Sequence, residues 1–556
     1  MKTVLAALNA KHIHSNLAIR YLKAYADDDN IEIYDATINE NPLNIAIDIA
    51  RKKPDLVGFS CYIWNIENTL KVCSALKEID GNIFILLGGP EVTYDSKAVL
   101  ERYEYIDFII QGEGERPFKN FICKLKEGKK SFEDVEGLVY RCGDKIIENH
   151  SRSFIENLDE IPFPYKDGIT DRIIYYETTR GCPFSCKYCL SSIERGLRYF
   201  SLDRVKSDLK YFIDRDVKIV KFVDRTFNAN KKFAMEIWKY LIENRKNTTF
   251  HFEIAADILD RDAIEILKGA PDGLFQFEVG VQTTNPEVLN NINRTMDFEK
   301  LKRNVLEIKK SGNIHCHLDL IAGLPGEDFS SFRRSFDMCM DMNPDVLQLG
   351  FLKILKGSPM YYESHKYIMH YTKFPPYQVL KTRDITFDEM VSLMELEEVF
   401  ESYYNSGIFS ITMFYALSKV HSKFDFFMDF TGFLKDKGFF SRNMSLNDRF
   451  KLLYEFLLKY CNENIIRDVL LHDYIINTKK SVVPDFLKRE NMLNLKDLVY
   501  ENRSKIEKYF GRIDFKRIFY VPVDVKILKD MSSYSILEER GIAVFNLEKG
   551  EYMYLQ

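Results

Sequence analysis

Gly181-Cys182-Pro183-Phe184-Ser185-Cys186-Lys187-Tyr188-Cys189 sets three cysteines in a CxxxCxxC spacing within eight residues. The strand-like run Ile173–Glu177 comes just before it. A loop of this kind can wrap three thiolates around one corner of an iron–sulfur cluster. A [4Fe–4S] cluster has four irons, so one iron is left without a protein ligand and can bind and reduce a small molecule. Tyr188, beside the last cysteine, is placed to cover such a cluster. The plainer alternatives are a zinc site or three incidental thiols. Zinc takes four N/S ligands, and no fourth Cys or His lies nearby in the sequence.

Outward from this stretch, residues 170–375 repeat strand then helix. The strands are Ile173–Glu177, Lys218–Val223, Phe250–Ala256, Gly273–Val281, His315–Ile321 and Val346–Ile354. That rhythm predicts a partial (β/α)6 barrel. Alternation puts His251, Glu253 and Asp257 on one face of the third strand. It groups Gln276, Glu278 and Gln282 on the fourth, and His315, His317 and Asp319 on the fifth. An open barrel that holds a polar cofactor needs such groups inside; outward-facing polar strands under covering helices are costly.

The cysteine spacing is the signature of the radical S-adenosylmethionine (SAM) enzymes, and the chain resembles that family over the whole barrel. The resemblance implies that the open iron chelates SAM and that cluster reduction cleaves it to a 5′-deoxyadenosyl radical. It also carries SAM-contact roles to Glu253 on strand three, Gln282 ending strand four, Arg294 in the next helix and Asp319 on strand five. Arg294 follows Gln282 by 12 residues and precedes Asp319 by 25, as in the coproporphyrinogen-oxidase-like type. A guanidinium suits the SAM carboxylate. The glycine-rich turn usual after strand two is replaced by Val223-Asp224-Arg225-Thr226-Phe227-Asn228. Asp224 stands where a contact to the SAM amino group is expected, or alternatively a substrate contact. Ala322–Glu327 and Leu355–Met360 resemble the family's GLPGE turn and strand-six ending.

Residues 1–150 alternate short apolar strands with helices, which argues a parallel, doubly wound (Rossmann-like) sheet. Its ligand loops are Asn9–Asn16, Ser60–Trp64, Gly88-Gly89-Pro90-Glu91-Val92 and Gln111-Gly112-Glu113-Gly114-Glu115. Placed before a radical SAM core, this domain resembles the cobalamin-binding domain of the B12-dependent subfamily. The resemblance implies cobalamin contacts from Ser60, Tyr62, Gly88, Gly89, Glu91, Gly112, Glu113 and Gly114. The DxHxxG motif that ligates cobalt from below is absent; the matching stretch is Asn9-Ala10-Lys11-His12-Ile13-His14. His12 and His14 are read as polar loop residues, with axial ligation as the alternative. A Rossmann-like domain without B12 is the plainer alternative. Val135–Glu148 reads as a hairpin turning near Gly143-Asp144. The two prolines of Leu158–Pro164 mark a linker over 151–169.

Residues 376–556 are mostly helical, with a phenylalanine-rich run from Phe409 to Phe440 as a core or lid and closing strands at Phe519–Lys526 and Ala543–Leu547. This third resembles uncharacterised C-terminal domains of B12-type radical SAM proteins and is expected to select substrate. Lys479–Arg517 carries 11 Lys/Arg against 6 Asp/Glu, a solvated helix face or a contact for an anionic substrate or RNA.

The bulk numbers bound the rest. A chain of 556 residues holds about three domains, and its net charge of −5 gives no global signal for nucleic acid or anionic membrane. No apolar run reaches a membrane span. The Met1–Leu5 start lacks a signal-peptide layout, and ten cysteines without one suggest the reducing cytosol. The leading reading is a cobalamin-dependent methyltransferase acting on an unactivated carbon, methylating cobalamin with one SAM and generating the radical with a second. The alternatives are radical rearrangement, cyclisation or oxidation without methyl transfer, an RNA methylthiotransferase, or a B12 or redox sensor. A flavodoxin- or ferredoxin-type reductant is the implied partner; the substrate is not named by the sequence.

Overall fold

The computed structural model describes residues 1–129, 131–149, 154–193, 196–489, 494–530 and 533–555. The chain divides into two compact units. One comprises residues 1–308, 313–328 and 350–386; the other comprises 309–312, 329–349 and 387–556.

The first unit begins with a seven-stranded sheet. In spatial order its strands are Ile31–Thr37, Thr3–Asn9, Leu56–Ser60, Phe84–Gly88, Phe108–Ile110, Leu138–Cys142 and Lys145–Glu148. The first five are parallel and the last two antiparallel. Every second residue changes face. Val4, Ala6 and Leu8 pack with Ile45, Ile49, Val72 and Leu76 on one side. Leu5 and Ala7 pack with Ile19, Phe118 and Phe121 on the other. Helices therefore cover both faces, as the near-continuous apolar strands require. The strand order reverses between Thr3–Asn9 and Leu56–Ser60, and ligands of such sheets bind beyond the carboxyl ends at that switch point. The hairpin turns at Gly143-Asp144, with Cys142 paired to Lys145.

The connector is pinned down rather than loose. Tyr165 is 1% exposed, donates its hydroxyl to Tyr175 O at 2.5 Å and lies under the Arg20 guanidinium.

A second sheet runs Ile174–Tyr176, Ile219–Phe222, Thr249–Ile254, Phe275–Gln282, Ile314–Ala322 and Val346–Phe351, neighbours in sequence being neighbours in space. That sequential order is the partial (β/α)6 arrangement. Alternation holds: Phe250, Phe252, Phe275 and Phe277 are fully buried under the helices, while His251, Glu253, Gln276 and Glu278 are partly exposed on the opposite, lumen face. Asp257 departs from the expected face because the strand ends at Ile254 and a 3-10 turn, Ala256–Ile258, carries it away. Phe222, Phe227 and Phe252 form the tightest part of the outer layer, with ring centroids 4.3 Å apart for Phe222–Phe252 and for Phe227–Phe252.

The other unit is mainly helical. Phe336, Phe400, Phe424 and Phe427 interlock at its centre, so part of the phenylalanine-rich run is core. Its strands exceed the expected two. Ile518–Val523, Gly541–Asn546 and Glu551–Leu555 form an antiparallel sheet, and Lys526–Asp530 pairs with Ser533–Leu537. Arg489, from the basic stretch, is buried on Asp468 at 2.6 Å and Asp524 at 3.0 Å; that cation is structural.

Phe252→Ala removes the ring shared by these aromatic contacts. It should destabilise the first unit by about 3–5 kcal/mol, read as a lowered midpoint in urea unfolding followed by near-UV circular dichroism.

Candidate active site

The cysteine loop leaves the first barrel strand through Glu177–Arg180. Asp224, at the end of strand two, fixes that exit. Its carboxylate accepts from Thr178 N at 3.0 and 3.2 Å, Thr178 Oγ1 at 2.6 Å and Thr179 Oγ1 at 2.7 Å, and the residue is 1% exposed. Burial raises its pKa against these bonds. Asp224 thus braces the exit of the loop, and its Oδ2, which receives only Thr178 N, keeps acceptor capacity.

Gly181 comes next, at φ +95°, where a Cβ would lie 2.0 Å from Gly196 O; only glycine passes there. The loop is then held from three sides. Lys187 N donates to Ile292 O at 2.9 Å and Met360 N to Lys187 O at 2.9 Å. Asn293 Nδ2 donates to Ser185 Oγ at 2.8 Å. Arg294 Nη1 donates to Cys186 Sγ at 3.7 Å, and Nη2 to Gly280 O. Tyr188 packs with Val288, Ile292, Leu324 and Met360.

Polar groups gather on the lumen face. Glu278 accepts from Lys221 at 3.0 Å and pairs with His251 at 2.9 Å. Burial would raise its pKa, but these partners overcome it and hold it at about 2. Burial brings His317 down to about 4, so its imidazole is neutral at pH 7. Burial, then the charges of Glu278 and Glu253, push Asp319 well above the usual carboxylate range. Burial raises Glu253 as well. Gln282 sits at φ +70° where the strand register slips, a strained conformation of the kind that clusters at ligand sites. Gln282 Oε1 and Arg294 Nε are buried without a hydrogen-bond partner, and His317 Nε2 and Asp319 Oδ1, likewise without a hydrogen bond, face each other at 3.4 Å. Buried polar atoms are normally paired, so this set of donors and acceptors fits a polar ligand such as SAM, with Arg294 also reaching Cys186.

A second space adjoins the loop. A cavity of about 720 Å³ lies beyond the carboxyl ends of the first sheet. Ser60, Tyr62, Gly88, Gly89, Gly112, Glu113 and Gly114 line it from the first domain, and Tyr175, Glu177, Arg180, Gly181 and Arg225 from the barrel. Its glycines let backbone form much of the wall, which suits a broad flat ligand such as cobalamin. Gly89, at φ +109°, could carry no Cβ, which would lie 2.5 Å from Cys61 O.

Several expectations are revised in detail. Glu91 does not line this cavity; its carboxylate accepts from Tyr377 OH at 2.9 Å. Glu113 lines it, but its carboxylate receives Arg198 at 2.5 and 3.1 Å. His14 lines it with Nδ1 engaged by Tyr175 OH at 2.7 Å, and burial lowers its pKa.

Among residues the sequence did not single out, Arg180 matters most. It reaches Glu115 at 2.5 Å, Glu177 at 2.8 Å and Glu113 at 3.4 Å. Burial pushes the Glu177 carboxyl up, and Arg180 pulls it back. Trp64, stacked on Tyr62 at 4.5 Å, and Arg225 were also missed. An arginine immediately before the motif glycine was the one available signal.

A B12-binding-domain profile matches residues 3–122. A radical SAM superfamily profile matches residues 176–339. The chain carries a radical SAM domain behind a B12-binding domain. Residues 365–518 match a family described as protein of unknown function (DUF4080). The radical SAM match implies a [4Fe–4S] cluster and SAM, and the B12 match implies cobalamin. The chain is 25% identical over 410 residues to an uncharacterized methyltransferase of Pyrococcus horikoshii, across 70% of this chain and 87% of that one. It is 27% identical over 329 residues to the cobalamin-dependent radical SAM methyltransferase TokK of Streptomyces tokunonensis, across 55% of this chain and about half, 48%, of that one. The fold matches that of OxsB, solved with aqua-cobalamin and S-adenosylmethionine, at a TM-score of 0.58 and 15% identity, over 93% of this chain and 82% of that one.

Two substitutions separate the two spaces. Arg180→Ala leaves three buried carboxylates without their shared cation and should cost about 3–5 kcal/mol, seen as a lower thermal midpoint together with weaker cobalamin retention. Arg294→Ala should remove about 1.5–3 kcal/mol from SAM binding, a roughly ten- to hundredfold rise in Kd by equilibrium dialysis, with cobalamin binding unchanged.

Proposed function

We propose that the chain is a cobalamin-dependent radical SAM methyltransferase acting on an unactivated carbon. The observation that carries this reading is the cavity walled by both the B12-binding loops and the barrel, reaching Gly181 of the cysteine loop. Residues 1–150 then hold cobalamin, 151–169 connect, 170–375 hold cluster and SAM, and 376–556 select substrate. When bound, these groups supply a reductively generated deoxyadenosyl radical and a transferable methyl group.

The chain's own residues do the rest. Cys182, Cys186 and Cys189 ligate the cluster, and Tyr188 shields it. Arg294 takes the SAM carboxylate, and Glu253, Gln282 and Asp319 take its remaining polar groups. Ser60, Tyr62 and the glycines of the two turns contact cobalamin. Asp224 and Arg180 fix the loop between the two spaces, and the packed outer aromatic layer keeps water from the lumen.

No helix among the described residues is long and apolar enough to cross a membrane. We place the enzyme in the cytoplasm, with a flavodoxin- or ferredoxin-type reductant and a substrate yet to be identified.

The test is an anaerobic incubation of cluster-reconstituted protein with dithionite, SAM and hydroxocobalamin, followed by mass spectrometry. Both S-adenosylhomocysteine and 5′-deoxyadenosine should form, and Cys186→Ala should abolish the second. Deoxyadenosine without S-adenosylhomocysteine would favour radical chemistry without methyl transfer. Neither product from the reconstituted protein would favour a sensor.

A further inference from the structure

The wall behind the cysteine loop has an unusual outer face. Residues 361–383 form a short helical turn, a 3-10 turn and a two-stranded ladder in which His370 pairs with Lys381. Four large apolar side chains stand out from it: Tyr361 is 40% exposed, Tyr362 64%, Ile368 55% and Phe374 60%. Exposed apolar side chains of this size gathered in one short segment mark an interaction surface. Lys366, Lys373, Lys381 and Arg383 are exposed along the same segment. Glu363 pairs with Lys187 at 2.9 Å and with Lys366 at 3.5 Å, and Asp384, the next residue along, pairs with Arg383 at 3.3 Å. Lys373 and Lys381 remain as exposed cations that no ion pair engages among the described residues, a local excess of positive charge in a chain of net charge −5.

The inner side of this wall is the cysteine loop itself. Met360 N bonds Lys187 O at 2.9 Å. Tyr188 packs in the same apolar cluster as Met360 and Met369, with Tyr367 and Tyr371 against it. Lys187 and Tyr188 are the two residues between the second and third cysteines. The exposed face is therefore one layer of side chains away from the loop that carries the thiols.

We propose that this face is the docking surface for a small acidic electron-carrier protein, a reduced flavodoxin or ferredoxin. The proposal rests on the radical SAM reading. Each SAM cleavage consumes one electron: the sulfonium–C5′ bond breaks, the sulfur keeps the bonding pair as methionine, and the carbon keeps the added odd electron. The carrier is oxidised by one electron per event. Charge complementarity raises the encounter rate and orients the partner, and the exposed aromatics supply the apolar centre of the contact.

The test compares three reductants on holoenzyme reconstituted with its cluster: dithionite, an enzymatically reduced flavodoxin and a reduced ferredoxin. The readout is the rate of 5′-deoxyadenosine formation at low and high salt, in wild type and in the Lys373→Glu/Lys381→Glu variant. Both lysines are exposed, and Lys373 lies over the Tyr371 ring at 4.1 Å. With at least one protein donor the variant should be slower by about tenfold or more at low salt, and the difference should shrink at high salt. Its dithionite-driven rate should match wild type. Equal rates for wild type and variant with the protein donors would overturn the proposal, as would failure of both donors where dithionite succeeds. No cleavage even with dithionite would overturn the radical SAM reading and this surface with it.

Discussion

The Arg180 guanidinium is the contact on which the active region depends. It lies one residue before the glycine that opens the cysteine loop, and it binds Glu113 and Glu115 from the first domain together with Glu177 from its own strand. Three carboxylates around one buried cation are tolerable only with good geometry and further hydrogen bonds. Arg198 supplies those on Glu113. The arrangement welds the second glycine-rich turn of the nucleotide-type sheet to the start of the cysteine loop. Two sites that chemistry must keep in register therefore share one electrostatic anchor.

From that anchor the barrel's alternation sets the rest. Phenylalanines on the outer face give the wall its rigidity, and the same strands present His251, Glu253, Glu278, His317 and Asp319 inward. The lumen is uneven in its commitments. Glu278 is satisfied by Lys221 and His251, whereas Gln282 and Arg294 keep unpaired buried atoms and His317 and Asp319 have only each other at 3.4 Å. Polar groups already paired set shape and field; groups left unpaired are those with capacity for a ligand. Arg294, one of this set, also touches Cys186.

Much of this was legible in the sequence because it depends on local spacing. The CxxxCxxC loop, the six barrel strands, the lumen face of Glu253 and Asp319, and the glycine turns at Gly88-Gly89 and Gly112–Gly114 all follow from short-range pattern. What pattern missed depends on partners far away in the chain. Sequence does not show that Glu91 accepts from Tyr377, 286 residues later, that Glu113 is bound by Arg198, or that Asp224 holds Thr178. The extra strands near the C-terminus were missed because segments such as Lys526–Asp530 carry charge at both ends and little alternation. The substrate has no local signature at all.

The central claim is that one chain holds cobalamin against the radical SAM site through the cavity at the switch point. Cobalamin retained per cluster, measured by visible spectroscopy and iron analysis after anaerobic gel filtration, tests it most directly. Gly88→Leu is the comparison, since a Cβ there meets nothing closer than Ile110 O at 3.7 Å and the longer side chain would enter the cavity. The account predicts about one cobalamin per wild-type chain, and its loss in the variant with the cluster intact. A wild-type chain that keeps its cluster and binds no cobalamin, or a variant that binds it as well as wild type, would contradict the account.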